Sequence, residues 1–481
     1  MKQDEYTFDA LCQLRGISRA LVESPVGDLT LDERDEWIPC DEIIVGGDLT
    51  IKNWKTGCLP PKVIVGGNLR IVNCCFVEFP AYIEVNGDVK IVNSHFESIH
   101  EGCHFRQSVS FDSSMIQHIH DDFHVHGDLK LSDCCISVLS KGLVVEGKLD
   151  ISGTQIRVVP DDCSCRSLNA AYSLVEKLPE NWSVNELNLA HCPISELSKG
   201  VRVANVLDIS YTAIREIREL LPRIKLYASH SKLSKLPDHS RFEHLELEGC
   251  PIAVFPSDFK VLGDLNMKHT NIRSFPDDFE VTGVLDASNS ALRYVPDLLV
   301  TYSLKIWGTQ VKYIPAGVVC RAIYCDKGVR VDAYQFDRKK EFDFHPGGKY
   351  VCTGAGFYKI NHRSGNILYC SEMGELGNLV IVTDGDELFA CGATLSLAQA
   401  DLDYRRMQLG QIDTKNFKID DTLSFAQALA LYRFLTSDYL PDIIDYLECL
   451  PEIKEFYTIR EWINVMKDGP ESEEFRSHFE V

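Results

Sequence analysis

Apolar residues recur along most of this chain on a fixed schedule. The segments Gly47-Asp-Leu-Thr-Ile51, Gly67-Asn-Leu-Arg-Ile71, Gly87-Asp-Val-Lys-Ile91, Gly127-Asp-Leu-Lys-Leu131 and Gly147-Lys-Leu-Asp-Ile151 align in a common unit. The first apolar residue of that unit falls at Leu29, Leu49, Leu69, Val89, Val109, Leu129, Leu149, Leu168, Leu187, Leu207, Leu226, Leu245, Leu265, Leu285, Leu304 and Ile323, each 19 or 20 residues after the last. Numbered from this residue as offset 0, a unit carries apolar side chains at 0 and +2 (Leu149, Ile151), a small residue at +5 (Thr154), Ile156 at +7, Val159 at +10 and often proline at +11 (Pro160). Alternation at 0 and +2 predicts a strand with one buried face. One such unit cannot bury that face alone, so neighbouring units must stack. The predicted fold is a repeat solenoid of parallel strands, about sixteen turns long. Twenty residues per turn leave no room for a long helix on the return side, where extended or short helical-turn segments are expected.

The unit resembles the leucine-rich repeat in its short bacterial form, found in secreted effectors and in many bacterial and prophage proteins. The matching run is Leu149-Asp-Ile151-Ser-Gly-Thr154-Gln-Ile156-Arg-Val-Val159-Pro160. The chain departs from that family at +5, where asparagine is usual. Here Cys74, Ser94, Ser114, Cys134, Thr154, Ser173, Cys192, Thr212, Ser231, Cys250, Thr270, Ser290 and Thr309 form a hydroxyl and thiol series. Its cysteines are expected to be buried packing residues.

The two ends of the array need covers. Residues 1–26 are expected to form an N-terminal helical cap, because Phe8, Leu11, Cys12 and Leu21 recur at near-helical spacing. The solenoid then occupies 27–335. A small C-terminal α+β domain spans 336–481, with short strands predicted near 350–352, 356–360, 367–370, 378–383 and 387–391, and helices near 396–409, 424–436, 441–447 and 458–466. Thr394, Ser424 and Thr458 are the expected helix caps. Leu395-Ser-Leu-Ala-Gln-Ala-Asp-Leu402 and Tyr457-Thr-Ile-Arg-Glu461 resemble the tail that accompanies short-repeat leucine-rich proteins, a segment that implies no activity.

Charge narrows the partners. Lysine and arginine total 49 against 71 acids, a formal charge of -22, and the tail from residue 337 is the more acidic part with 25 acids to 15 bases. That field opposes nucleic-acid phosphates, so no nucleic acid is expected, and a basic protein partner is favoured. The acidic Met1-Lys-Gln-Asp-Glu5 start is unlike a signal peptide, and no long apolar run follows. A cytoplasmic protein without membrane insertion is the expectation, although an address for a bacterial injection system would leave no compositional trace. The 18 cysteines include no CxxC pair, so reduced thiols are expected rather than a disulfide or zinc-ribbon framework.

The outward positions of the strand, offsets -1, +1, +3 and +4, line the concave face in leucine-rich repeats. In turns seven to thirteen they include Asp150, Asn169, Tyr172, Asn188, His191, Asp208, Tyr211, Tyr227, His230, Glu246, Glu248, Asn266, Lys268 and His269. Tyrosines supply contact area at low entropy cost and acids select a basic partner, so this set is the candidate partner-binding surface. The alternative is an idle solvated face. The basic stripe of Arg70, Lys90 and Lys130 is assigned to solvation alone.

Histidines suggest a second site. His100 and His120 share offset +11, and His104 and His124 each lie five residues before the next strand. Equivalent positions stack, so the four are a candidate metal set for zinc, nickel or copper, with His118, His126 and Cys103 nearby. The competing accounts are drifted exposed positions and a proton-sensing cluster. No other cofactor is expected.

Several catalytic signatures dissolve into the repeat. Gly142-Leu-Val-Val-Glu-Gly147-Lys148 has phosphate-loop spacing, but Leu149 replaces the hydroxyl residue and is a core position. Gly354-Ala-Gly356 lacks the third glycine of a dinucleotide site. The acid pairs Asp121-Asp122, Asp161-Asp162 and Asp277-Asp278 share offsets +12 and +13. Cys325-Asp326 echoes the cysteine nucleophile of effector ubiquitin ligases, but the strand-rich tail is unlike that helical enzyme. The expected function is therefore a non-enzymatic protein-recognition scaffold with no catalytic residues. The alternative is a secreted bacterial effector or enzyme whose solenoid selects a substrate for the C-terminal domain.

Overall fold

The computed structural model describes residues 6–7, 21–24, 27–32, 42–54, 59–75, 79–276, 279–337, 339–340, 342–353, 356–372, 378–385, 388–437, 439–450 and 452–479. Two units can be distinguished, residues 1–315 with 324–332 and residues 316–323 with 333–481. The first is a parallel-strand β-solenoid of about 14 turns. Strands from Leu29 to Leu304 pair in one unbroken in-register chain, Leu29↔Leu49 through Leu285↔Leu304. Fifteen strands enclose fourteen steps, and the last apolar station, Ile323, belongs to the second unit.

The parallel strands fall into a front column that runs the length of the solenoid, a flank column in the early turns and a sparse back column. The front column holds offsets 0 to +3, with both apolar residues inward; Leu69 and Ile71 are buried while Arg70 is exposed. Beside it, extended segments of the early turns pair into a second sheet. Leu21–Ser24, Glu42–Val45, Lys62–Val65, Tyr82–Val85 and Cys103–Phe105 pair in parallel as a flank column. Their own alternation buries Ile43, Val45, Val63, Val65, Ile83 and Val85. A third, back column is sparse, made of Ser98↔His118 and Ile99↔Ile119 and of isolated bridges such as Cys75↔His95 and Val158↔Lys177. In Val144–Asp150, Ser164–Asn169, Ser183–Asn188 and Arg202–Asp208 the flank and front segments run as single strands, bent by register shifts at Val145/Lys148 and Val184/Glu186, and they separate again at Lys260–Val261 and Leu265–Asn266.

The polar series at +5 is inside and satisfied. Thr154, Thr212, Thr270 and Thr309 donate their hydroxyls to the carbonyls of Ile151, Ile209, Met267 and Ile306 at 2.6–2.8 Å. Cys192 and Cys250 donate thiols to Ala170 and Ala228, and accompany Ser173 and Ser231 at 3.5 and 3.4 Å. Small donors at +5 thus give these carbonyls a side-chain hydrogen bond, in addition to the backbone N–H that Ile151, Ile209, Ala170 and Ala228 already accept.

The N-terminal helical cap lies mostly outside the described residues, including Phe8, Leu11 and Cys12. What is described there is strand: Tyr6–Thr7 pairs with Leu29–Thr30, and Leu21–Ser24 with Glu42–Val45.

The second unit carries an antiparallel sheet of six strands in sequential order, Phe342–Phe344, Tyr350–Thr353, Phe357–Ser364, Ile367–Glu372, Asn378–Thr383 and Phe389–Gly392. Helix α1 (Leu395–Gln408) packs Ala398 and Leu402 on Val380, Val382 and Ala390 of that sheet. Helices α2 (Phe425–Thr436), α3 (Leu440–Glu448), α4 (Ile459–Val465) and α5 (Ser472–Ser477) surround a separate core of Leu429, Tyr432, Ile443 and Trp462. Thr394, Ser424 and Thr458 are the N-caps, and the last two form full capping boxes with Gln427 and Glu461.

Candidate functional site

From the strand at Leu49 to the strand at Leu304, each front strand ends in a bend whose offset +4 residue has positive φ. The series runs Asn53, Asn73, Asn93, Ser113, Asp133, Gly153, Tyr172, His191, Tyr211, His230, Gly249, His269, Asn289 and Gly308, with φ between 46° and 71°. Asparagine, aspartate and glycine are ordinary there. Histidine is also enriched there, but tyrosine is not, and Tyr172 and Tyr211 each cost roughly 1–2 kcal/mol in this conformation.

The bend is held by the residue at +1. The side chains of Asp150, Asn169, Asn188, Asp208, Asn266 and Asp286 accept the N–H of the residue two positions on, at 3.1, 3.4, 3.0, 2.9, 3.1 and 3.1 Å. These are Asx turns. Asp150, Asn169, Asn188 and Asp208 therefore have a structural role, which spacing along the sequence did not reveal.

The side chains carried by the bend form a stack. The rings of Tyr172 and His191 lie 4.2 Å apart at 12°, those of His191 and Tyr211 4.2 Å apart at 11°, and those of Tyr211 and His230 4.9 Å apart at 31°. The stack is exposed, with Tyr172 at 67% and Tyr211 at 51%. Glycines bound it, Gly153 before Tyr172 and Gly249 after His230, and the His230 imidazole occupies the place a Gly249 side chain would take. His269 holds the next bend position, beyond Gly249.

Beside the stack the front face is a shallow cavity of ≈ 250 Å³ lined by Asn169, Asn188, Asp208 and Tyr227 together with Lys148 and Glu186. Further along, Tyr227 packs 5.2 Å from His244, and Glu246 accepts from the Asn266 amide at 2.7 Å. Burial pushes the Glu248 carboxyl up, but hydrogen bonds from Asn266 and Lys268 outweigh it and hold the group below the usual carboxylate range. Ten of the twelve candidate partner-binding residues thus fall into two adjoining groups, the ring stack and the acid and amide rows, with Tyr227 beside the rows and His269 one bend beyond the stack.

The four candidate metal histidines do not meet. His100 Nε2 lies 3.1 Å from the Phe79 carbonyl and its Nδ1 accepts from Gly102 N, so both nitrogens serve the backbone. His120 contacts the Asp121 carbonyl, and its ring edge meets Phe123. His104 lies 5.3 Å from the Tyr82 ring. His124 instead joins His126, with Glu146, a residue the spacing argument missed. Offset -3 of the following turn was the available signal.

The buried thiols are poor nucleophiles. Burial pushes Cys103, Cys163 and Cys370 up to about 12, and it raises Cys325, where the Asp326 charge adds to it. Val144–Asp150 is strand and Leu149 is fully buried, so the phosphate-loop spacing has no loop to form. Among the described residues no helix is long and apolar enough to cross a membrane. No family model, curated protein or solved structure matches this chain.

Proposed function

We propose that this protein is a non-enzymatic recognition scaffold that binds a basic protein partner through the front face of its solenoid. The observation that carries the reading is the Tyr172–His191–Tyr211–His230 stack, four exposed rings on left-handed bends, two of them tyrosines where asparagine or glycine would be less strained. Bulky residues in that conformation cost stability, and contact with a partner is a return for that cost. Asp208, Glu246 and Glu248 along the same face favour a cationic surface. The periodic apolar set suggests a relative of the short leucine-rich repeats of bacterial and phage proteins, acting in the cytoplasm or as an effector.

The test is affinity capture from native lysate, comparing the intact chain with a Tyr211→Ala, His230→Ala, Glu246→Lys variant. The expected result is a basic protein retained by the first and lost by the second. Retention of the same proteins by both would sink the assignment.

A further inference from the structure

Two adjacent turns assemble a side-chain group that partner recognition does not use. His124 and His126 flank Val125, which is fully buried, so strand alternation sends both imidazoles outward on one face. Val125 pairs with Val145 of the next turn, which sets Glu146 alongside His126. His124 Nε2 and His126 Nδ1 lie 3.1 and 2.9 Å from the same oxygen, Oε1 of Glu146. The imidazole centroids are 4.3 Å apart. Ligand atoms of all three lie within 4.8 Å of one another, and no other group of three or more does so among the described residues.

We propose that His124, His126 and Glu146 form a binding site for a divalent first-row metal ion of the zinc class. The proposal is independent of the recognition reading. Zinc binds imidazole nitrogen and carboxylate oxygen at roughly 2.0–2.2 Å, which in a tetrahedron separates ligand atoms by about 3.3–3.6 Å. The two nitrogen-to-oxygen distances are slightly shorter than that, so an ion entering between them needs only small rotations of exposed side chains. Two imidazoles and one carboxylate are a donor set that zinc, nickel and copper accept, whereas magnesium and calcium prefer oxygen alone.

The surroundings are compatible with a cation. Arg106 occupies the position before His126 in the same row, but its guanidinium is tied to Glu84 by bonds of 3.1 and 2.7 Å. Side-chain exposures of 44%, 50% and 51% leave a fourth coordination position open to water. The register of two parallel strands fixes the ligand backbones, so the site is organised before the ion arrives.

Zinc titration of the reduced full-length chain by calorimetry, with cobalt(II) absorption as a second readout, tests the assignment. The variants are His126→Ala, Glu146→Gln and, as a control in the back column, His118→Ala. The tightest zinc equivalent should be kept by His118→Ala and weakened about tenfold or more by each of the other two. Cobalt should give ligand-field bands without thiolate charge transfer. The proposal is overturned by absence of zinc uptake in the intact chain, by wild-type affinity in His126→Ala, or by a thiolate band, which would place the metal on the cysteines. All three positions are exposed and outside the core, so unchanged circular dichroism and melting temperature are expected in every variant.

Discussion

The backbone N–H of Asn68 donates to Oδ1 of Asp48, one turn earlier, at 2.7 Å. That oxygen stands where a side chain on Gly67 would begin. The relation recurs from Asp28 to Asp48, Asn68 to Asp88, Asp128 to Lys148 and Asp264 to Val284, at 2.7–2.9 Å. The repeated glycine before the front strand is thus explained by a neighbour's carboxylate or amide oxygen. No positive φ is involved at Gly67.

Gly67→Ala should therefore destabilise the solenoid by about 1–3 kcal/mol, the usual cost of overpacking. In an Asp48→Ala background part of the clash disappears, although the Gly47 carbonyl still crowds the site. A double-mutant cycle by chemical denaturation should give a coupling of at least about 0.5 kcal/mol. Strict additivity would show that the oxygen does not dictate the glycine.

The bend at Tyr211 has φ +60°. A β-branched residue fits that conformation worst, so Tyr211→Ile should lower stability by roughly 1–2 kcal/mol. Asparagine adopts it readily, and Tyr211→Asn should stay within about 1 kcal/mol of the parent because better backbone fit offsets lost ring stacking. Equal melting temperatures for the two variants would contradict the strain argument.

Thr154 donates to the buried Ile151 carbonyl at 2.6 Å. Thr154→Val keeps the shape and removes the hydroxyl donor, while the Thr154 backbone N–H still reaches the same carbonyl, so the change should cost about 0.5–1.5 kcal/mol. Thr154→Ser keeps the donor and should cost less than the valine. Thermal melts of the two variants decide the matter, and a valine as stable as the serine would rule out a polar role for the series.

Alkylation near neutral pH should modify Cys75, Cys135 and Cys449, which are exposed, and spare buried Cys103, Cys163 and Cys370. Peptide mass spectrometry after brief labelling reads the outcome. The same burial sets a pH dependence. Folded thiols pushed from 9.0 up to about 12 stay protonated while the unfolded chain ionises. Their stabilising contribution is full below pH 9 and is lost as the pH rises toward 12. Denaturation midpoints that stay level across that range would refute it.

The sequence was most informative where one turn repeats another. The spacing from Leu29 to Leu304 set strand direction and register, because identical units can bury their apolar pair only by stacking in parallel. The small residues at +5 were legible as buried for the same reason. The flank sheet was less so. Val63 and Val65, or Ile83 and Val85, alternate over only four residues, and a short apolar pair is compatible with any extended return segment.

The candidate site divides along the same line. Placing Tyr172, His191, Tyr211 and His230 on one outward row required nothing beyond the repeat length. That their rings stack depends on a left-handed bend, which tyrosine does not advertise. His100 and His120 share an offset, yet backbone carbonyls draw both away from His124, since position +11 lies against the interior. Chain periodicity by itself determined the axis along which these side chains are arrayed. Only the tertiary structure decided which of them meet, because contact is set by φ at the bend and by pairing across the flank, neither of which is written in the spacing of apolar residues.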